Sequence, residues 1–459
     1  MEWYTKILRI LGGYRFFFAL LVQGFFLHPC YQSNKTAQLL RLGLIPIIIW
    51  LAVSSIHVRQ FEPVEDFFHI NFPIVSFPTF HSICLALEFG LFRGSLLEVP
   101  TSRPKNTEKE VSSELKEENL RKLNETPVTK LPPNSTFPSF AERFKFLVWL
   151  IFSPRGLRTA WSPPTSVVPV GTEMSMKKFV MSTSIKALLL QFLFTFFWAI
   201  GTSFAHNPSG VYGYLTQELG VPQNLILKKT APFLICIPFA SSAMLLIDML
   251  GCMFNLIEVL VYHLGPKVLP SSLAPGRWDS TLYPPLFNEP WKADSLLKFW
   301  SQAWHAIFRQ HILFCGSTPL SWLFRPFGKD VTRIAGLMGA MTFSGLFHEF
   351  VLATASKLDP NFSTTWVFAG SGIGMVAEIA FKKITGRQVG GLLGKVWFCG
   401  LLLILGRPGM ENWVERGLGR SGVPPVAEWS KLRLFVPFGP WLPEKWLSSV
   451  SQWCTEMKI

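Results

Sequence analysis

Charge is what this chain is short of. Only 16% of its 459 residues are Asp, Glu, Lys or Arg, against roughly 25% in soluble domains. With 49% hydrophobic residues and a mean hydropathy of +0.31, that shortage excludes a soluble domain and predicts a polytopic membrane protein. The seven cysteines include no CxxC pair, and Cys84, Cys236, Cys252 and Cys399 sit in apolar runs. A disulfide framework and a zinc ribbon are therefore not expected. Ser344 lies in Phe-Ser-Gly-Leu-Phe, which lacks the G-x-S-x-G frame of a nucleophile elbow. His348-Glu-Phe-Val-Leu352 lacks the second histidine of H-E-x-x-H, so a metalloprotease is excluded and no metal is assigned. Gly370-Ser-Gly-Ile-Gly374 lies inside an apolar run, which favours close helix packing over a nucleotide fingerprint. No cleavable signal peptide is expected, because the first apolar run contains Arg15 and leads into a second. No internal repeat is visible.

What is present is apolar and aromatic, with 42 Phe and 17 Trp. Spanning segments are predicted at about 12–28, 42–57, 70–92, 184–204, 231–263, 332–352, 364–381 and 390–406, each near the ~20 residues a bilayer requires. This gives an all-α fold with about eight transmembrane helices, in a range of seven to ten. The first segment is short. The fifth is too long for one untilted helix, so it reads either as tilted or as two helices. Phe144–Phe152 is apolar but too short to cross and reads as interfacial. Residues 93–145 form a polar insert with ten basic and eight acidic residues; its middle, Lys105–Lys122, is either a solvated helix or disordered. The organisation read from this is 1–92 N-terminal membrane segments, 93–145 polar insert, 146–410 membrane core and 411–459 amphipathic tail.

The net charge is +14. The basic residues are spread through the loops, so they read as fixing topology and meeting lipid headgroups or phosphates, not nucleic acid. Placing 29–41, 93–183, 264–331 and 382–389 in the cytosol fits the helix count. The sequons at Asn34, Asn124 and Asn134 are then cytosolic and expected to stay unglycosylated. A glycosidase-sensitive mobility shift mapping to Asn124 or Asn134 would reverse this orientation.

Two segments suggest chemistry. His348 stands in the apolar run from Ile334 to Leu352, where an ionisable group costs on the order of 2–3 kcal/mol and usually serves a function. Its alternative is a buried histidine satisfied by a neighbouring helix. Glu349 follows directly and points about 100° away, so it is not expected to partner His348. The second segment runs Pro-Pro-Leu-Phe-Asn-Glu-Pro-Trp from Pro284, then on through Trp300, Trp304, His305 and Arg309 to Gln310. After Pro290 it reads as an amphipathic helix, with Ser295 near its start. His305 and Arg309 would share one face, and the guanidinium would keep His305 neutral. Its alternative is an interfacial helix with an aromatic belt.

The spacing PPLF…FW…WH…R, followed 43 residues after His305 by a histidine in an apolar helix, resembles the membrane-bound O-acyltransferases, and their wax synthase-like branch most. Ser153-Pro-Arg-Gly-Leu-Arg-Thr-Ala-Trp161 also resembles that branch. The resemblance covers about 150–410. It implies a multi-helix, multi-pass membrane acyltransferase, of the endoplasmic reticulum, that uses acyl-CoA as co-substrate and binds no cofactor. The family's essential histidine falls on His348 and its second polar catalytic position on His305. The branch often carries Gly-Arg-Arg between the two tryptophans, where this chain has Ser301-Gln302-Ala303, so a phosphate contact there is in doubt.

The chemistry expected is general-base catalysis by His348 on an alcohol, with His305 donating to the oxyanion or positioning the thioester carbonyl. Trp304, Arg309, Arg325, Lys329 and Arg333 are candidates for CoA and substrate contacts. The branch includes long-chain wax synthases and fungal acetyltransferases that decorate terpenoids and meroterpenoids. The favoured reading is acetyl transfer from acetyl-CoA to a hydroxyl of such a lipophilic scaffold in secondary metabolism. The alternative is a long-chain wax ester synthase and, after that, a non-enzymatic transporter or scaffold. The expected partners are the lipophilic alcohol, acyl-CoA and membrane lipids.

Overall fold

The computed structural model describes residues 10–62, 67–93, 138–151, 168, 171–268, 278–429, 433, 436–442 and 446–447, the side chain of Trp149 excepted. Most of the polar insert, the sequons at Asn124 and Asn134 and the Ser153–Trp161 motif lie outside them. Every regular element among the described residues is helical. Nine longer helices organise the described residues: α1 (Arg15–Phe25), α2 (Lys35–Ser54), α3 (Phe77–Leu91), α4 (Phe140–Ile151), α5 (Met176–His206), α6 (Cys236–Val268), α7 (Lys329–Ala355), α8 (Ser363–Thr385) and α9 (Gly391–Glu415). Among the described residues, seven helical stretches are long and apolar enough to cross a bilayer, those containing α2, α3, α5, α6, α7, α8 and α9. The fold is therefore all-α and polytopic.

The first predicted span falls short: the apolar helix there is Ile10–Phe25, below crossing length. The long fifth segment is not two spans. A 3₁₀ turn over Ala231–Ile235 leads into the 33 unbroken residues of α6. α4, read as interfacial, packs into the N-terminal group, with Phe146 and Leu150 in one apolar core with Phe16 and Leu20 of α1. Its Leu147 closes on Gly24, where a side chain would collide at 2.7 Å. α4 and α9 each run across a boundary drawn from sequence, at 145 and at 410.

Local chemistry sets the helix ends. Asn34 caps α2 by accepting from the Ala37 amide at 3.0 Å. Asp359 accepts from the Asn361 and Ser363 amides at 2.9 and 2.7 Å and starts α8, which Gly386 ends at φ 72°. Those amide bonds hold the Asp359 carboxyl below the usual carboxylate range, against the upward pull of burial. Arg41, placed by sequence among loop charges, lies inside α2. It is buried and donates to the carbonyls of Phe89 and Phe92 at 2.9 and 3.3 Å, closing the C-terminal end of α3.

Four apolar cores stand out among the described residues. One joins α1–α4, one joins α5, α6 and the end of α9, one joins α7, α8 and α9 to the short elements of 290–303, and a small one joins Phe68 to Leu352 and Ala355 at the end of α7. The glycine-rich run behaves as packing, as expected: a side chain at Gly370 would strike Leu405 at 2.8 Å, and one at Gly374 would strike Leu296 at 2.5 Å. Gly316 and Gly339 of α7 also cross closely, each with the other's carbonyl oxygen where a Cβ would stand, at 2.6 and 2.4 Å. Close backbone approach of this kind is how helices associate in lipid. Gly339→Ala should cost about 1–3 kcal/mol of stability, read as a fall in the thermal midpoint of detergent-purified protein. An unchanged midpoint would mean the two backbones can part freely.

Candidate active site

Two histidine-bearing segments meet between α7 and α8. The first begins with Ser295, whose hydroxyl caps a short helix, Leu296–Lys298, by accepting from the Lys298 amide at 3.2 Å. The backbone then widens into a π-helical turn, Phe299–Ala303, closed by the Trp304 amide on the Phe299 carbonyl at 2.9 Å. The helix stops there, because Trp304 turns to ψ 156°. π-turns of this kind recur at functional sites.

This corrects one expectation. No single amphipathic helix runs to Gln310. The chain breaks at Trp304 and resumes at Arg309–His311, so His305 and Arg309 do not share a helix face. Arg309, on a separate short helix, therefore gives no basis for a neutral His305. The physical reason is the π-turn, which uses an extra residue per turn and brings the helix to an end before His305. Ser295, by contrast, starts the first short helix as expected.

A carboxylate from another helix anchors this segment. Glu378 of α8 accepts from the Leu296 and Leu297 amides at 2.8 and 2.9 Å, and from the Trp397 indole of α9 at 3.0 Å. An acid there satisfies amides that the helix start leaves open. Nearby, Asp294 accepts from Lys298 at 2.7 Å and from the Gly391 amide at 2.9 Å, and these bonds hold its carboxyl below the usual carboxylate range. Sequence reasoning missed Glu378, though a lone acid in an apolar span is itself a signal. Glu378→Ala should cost about 2 kcal/mol, the value of a lost charged cap. It should also lower ester formation by displacing Trp300 and Trp304. Wild-type activity together with a wild-type melt would show that the segment holds its place without it.

The second segment is α7. The His348 ring nitrogen Nδ1 lies 2.7 Å from the Ser344 carbonyl one turn earlier. A carbonyl only accepts, so Nδ1 carries the proton and Nε2 keeps its lone pair. Glu349 points elsewhere, as expected, and accepts from the Thr365 amide at 3.2 Å.

Aromatic rings join the two histidines into a closed circuit. His348 stacks on Phe368 of α8, centroid to centroid 4.4 Å, and Phe368 meets Trp300 at 5.2 Å. Trp300 meets Trp304 at 5.6 Å, and Trp304 meets His305 at 5.4 Å. His305 meets Phe308 at 6.0 Å, Phe308 meets Phe347 at 5.6 Å, and Phe347 returns to His348 at 4.9 Å. Phe287 of the Pro-Pro-Leu-Phe run also stands edge-on to His305 at 5.6 Å. The Trp300 indole N–H is buried in this circuit with no acceptor among the described residues.

Residues 283–370 match the sequence model of the Membrane bound O-acyl transferase family. Both histidines and every ring of the circuit lie within that stretch. Three plant proteins of Arabidopsis thaliana are similar to part of the chain. Acyl-CoA–sterol O-acyltransferase 1 is 32% identical over 104 residues, 22% of this chain and 30% of its own. Probable long-chain-alcohol O-fatty-acyltransferase 8 is 31% identical over 127 residues, 27% of this chain and 37% of its own. Probable long-chain-alcohol O-fatty-acyltransferase 1 is 31% identical over 143 residues, 29% and 42% respectively. The chain thus spans less than half the length of the relatives it matches.

Within the matched stretch the remaining predicted residues separate into two groups. Trp304 is part of the ring circuit, and Arg309 begins the next short helix beside Phe308. Arg325, Lys329 and Arg333 are exposed at the start of α7. Arg333 precedes His348 by 15 residues, about 22 Å at 1.5 Å per helical residue. These three cations stand at one end of a helix and His348 well along it.

Proposed function

We propose that this chain is a membrane O-acyltransferase that moves an acyl group from acyl-CoA to the hydroxyl of a lipophilic alcohol. The observation that carries this is the His348 tautomer: Nδ1–H donates to the Ser344 carbonyl at 2.7 Å, so Nε2 is ready to accept a proton. In the proposed reaction Nε2 takes the alcohol proton as the oxygen attacks the thioester carbon. The new C–O bond forms, the C–S bond breaks, and the proton passes to the departing thiolate to give free CoA. His305 and the Trp300 indole are the donors proposed for the oxyanion. The aromatic circuit limits access of water and so limits hydrolysis. Arg325, Lys329 and Arg333 are proposed to meet the CoA phosphates at the membrane surface, with the pantetheine arm running along α7 toward His348.

For the finer specificity, the proposed donor is acetyl-CoA and the proposed acceptor a terpenoid or meroterpenoid hydroxyl in secondary metabolism, in the endoplasmic reticulum. The wax synthase-like resemblance and the flat ring walls beside His348 support it. The names of the relatives favour a second reading, fatty acyl transfer to a long-chain alcohol or a sterol. Microsomes containing the full chain, given labelled acetyl-CoA or palmitoyl-CoA with candidate alcohols, separate the two. Ester from acetyl-CoA supports the first, ester from palmitoyl-CoA alone the second. Ester from neither donor would favour a transporter or scaffold.

A further inference from the structure

α3 carries His81 and Glu88, seven residues apart and so on one helix face. Glu88 is buried and accepts from Nδ1 of buried His311 at 2.5 Å. The other nitrogen of His311, Nε2, lies 2.8 Å from Nδ1 of His81. This row of a carboxylate and two imidazoles is not part of the ring circuit above. Burying ions costs several kcal/mol each unless they are paired and fully bonded. A carboxylate and one histidine would suffice to tie α3 to the 309–317 stretch. The third member is what a structural bridge does not need. His81 is half-buried, it stacks on Phe77 at 5.8 Å, and its Nε2 has no hydrogen-bond partner among the described residues.

The hydrogen bonds couple the two rings. Where Nδ1–H of His311 donates to Glu88, Nε2 of His311 accepts from Nδ1–H of His81, which leaves a lone pair on Nε2 of His81. In the opposite tautomer of His81 that outer nitrogen carries the proton. A hydroxyl both donates and accepts, so it satisfies the outer atom in either tautomer. The row also adjoins the candidate active site. Phe308 stacks on His311 at 6.1 Å, meets His305 at 6.0 Å and is touched by Phe77 at 5.4 Å.

We propose that Glu88, His311 and His81 form a second polar anchor, which binds an oxygen of the acyl acceptor other than the one esterified. The inference rests on the acyltransferase reading and deepens it. The acceptor class is then a lipophilic alcohol bearing two oxygens, a diol or a hydroxyketone. His81 contacts the acceptor, while His311 and Glu88 position His81. A simple monohydric alcohol leaves Nε2 of His81 unmatched, and a site built to hydrogen-bond a substrate oxygen discriminates against the analogue that lacks it.

The test uses the purified full chain in lipid nanodiscs, with an acyl-CoA donor and polycyclic alcohols paired with diols of the same skeleton. At least one diol should exceed its monool in kcat/KM by about tenfold or more, as expected for one further hydrogen bond to the protein. The ratio should fall to about one in His81→Phe, which keeps the ring and its stacking, and should be partly restored in His81→Gln, which keeps a hydrogen-bonding tip. Glu88→Gln should raise KM for the diol and not for acyl-CoA, a split that a merely structural role does not produce. A ratio near one across the wild-type panel, or a ratio untouched by His81→Phe, overturns the anchor. If His81→Phe is not monodisperse, an unaltered ratio in Glu88→Gln overturns it equally. Failure of the wild type to esterify any alcohol overturns the acyltransferase reading itself.

Discussion

His348→Gln should lower ester formation by about 10²–10⁴-fold, the usual contribution of a general base, in protein that still inserts and purifies as a single species. The expectation follows from one bond. His348 donates from Nδ1 to the Ser344 carbonyl, so Nε2 is the atom left to accept a proton in the proposed reaction. Glutamine fills similar space and keeps a hydrogen-bonding group, but it cannot hold a transferred proton. His348→Ala should lose as much activity and still insert, because alanine is apolar and a strong helix former. Its cost is different: Phe368 stacks on the His348 ring at 4.4 Å, so alanine should also lower the melting temperature. The decisive measurement is turnover of detergent-purified His348→Gln. Activity within about threefold of wild type, far less than the loss of a base entails, would sink the mechanism.

His305→Ala should cost about 10²–10³-fold, the range for removing one oxyanion donor, and His305→Asn should retain more. Asparagine keeps a donor and an acceptor where alanine keeps neither. The ring also packs, against Phe287, Trp304 and Phe308, so a loss in both variants alike would be ambiguous without a stability control. The informative quantity is therefore the ratio of Asn to Ala in kcat, measured on samples of equal thermal midpoint. A ratio near one, with both variants close to wild type, would reduce His305 to a packing residue.

The helical, polytopic character was legible because burial in lipid leaves a long-range compositional trace. α2, α5, α7, α8 and α9 each overlap a span read from hydropathy. The 33-residue length of α6 was legible as an excess, but not as one unbroken helix. Periodicity alone cannot say whether a long apolar run bends. His348 stood out for the same reason that Glu378, Glu88 and His311 should have: polar groups in apolar surroundings need an explanation. The sequence singled out the first and not the others, since their partners are distant in the chain. Glu378 meets Leu296 and Glu88 meets His311 only after folding. The break at Trp304 was not legible at all. Nothing in Phe-Trp-Ser-Gln-Ala announces a π-turn, so the helical pattern was extended too far and His305 was paired with the wrong neighbour.

The ring circuit has a consequence for the order in which the chain is made. Its members come from three stretches, 300–308, then Phe347 and His348, then Phe368. Phe368 is the last to leave the ribosome. Until α8 follows α7 into the membrane, His348 has no ring stacked on it from that side and the helix at Leu296 has no Glu378 to start it. A nascent chain halted before Ser363 therefore holds both histidines without the enclosure around them. Enclosure therefore waits on α8, which supplies the stacking wall and the carboxylate together.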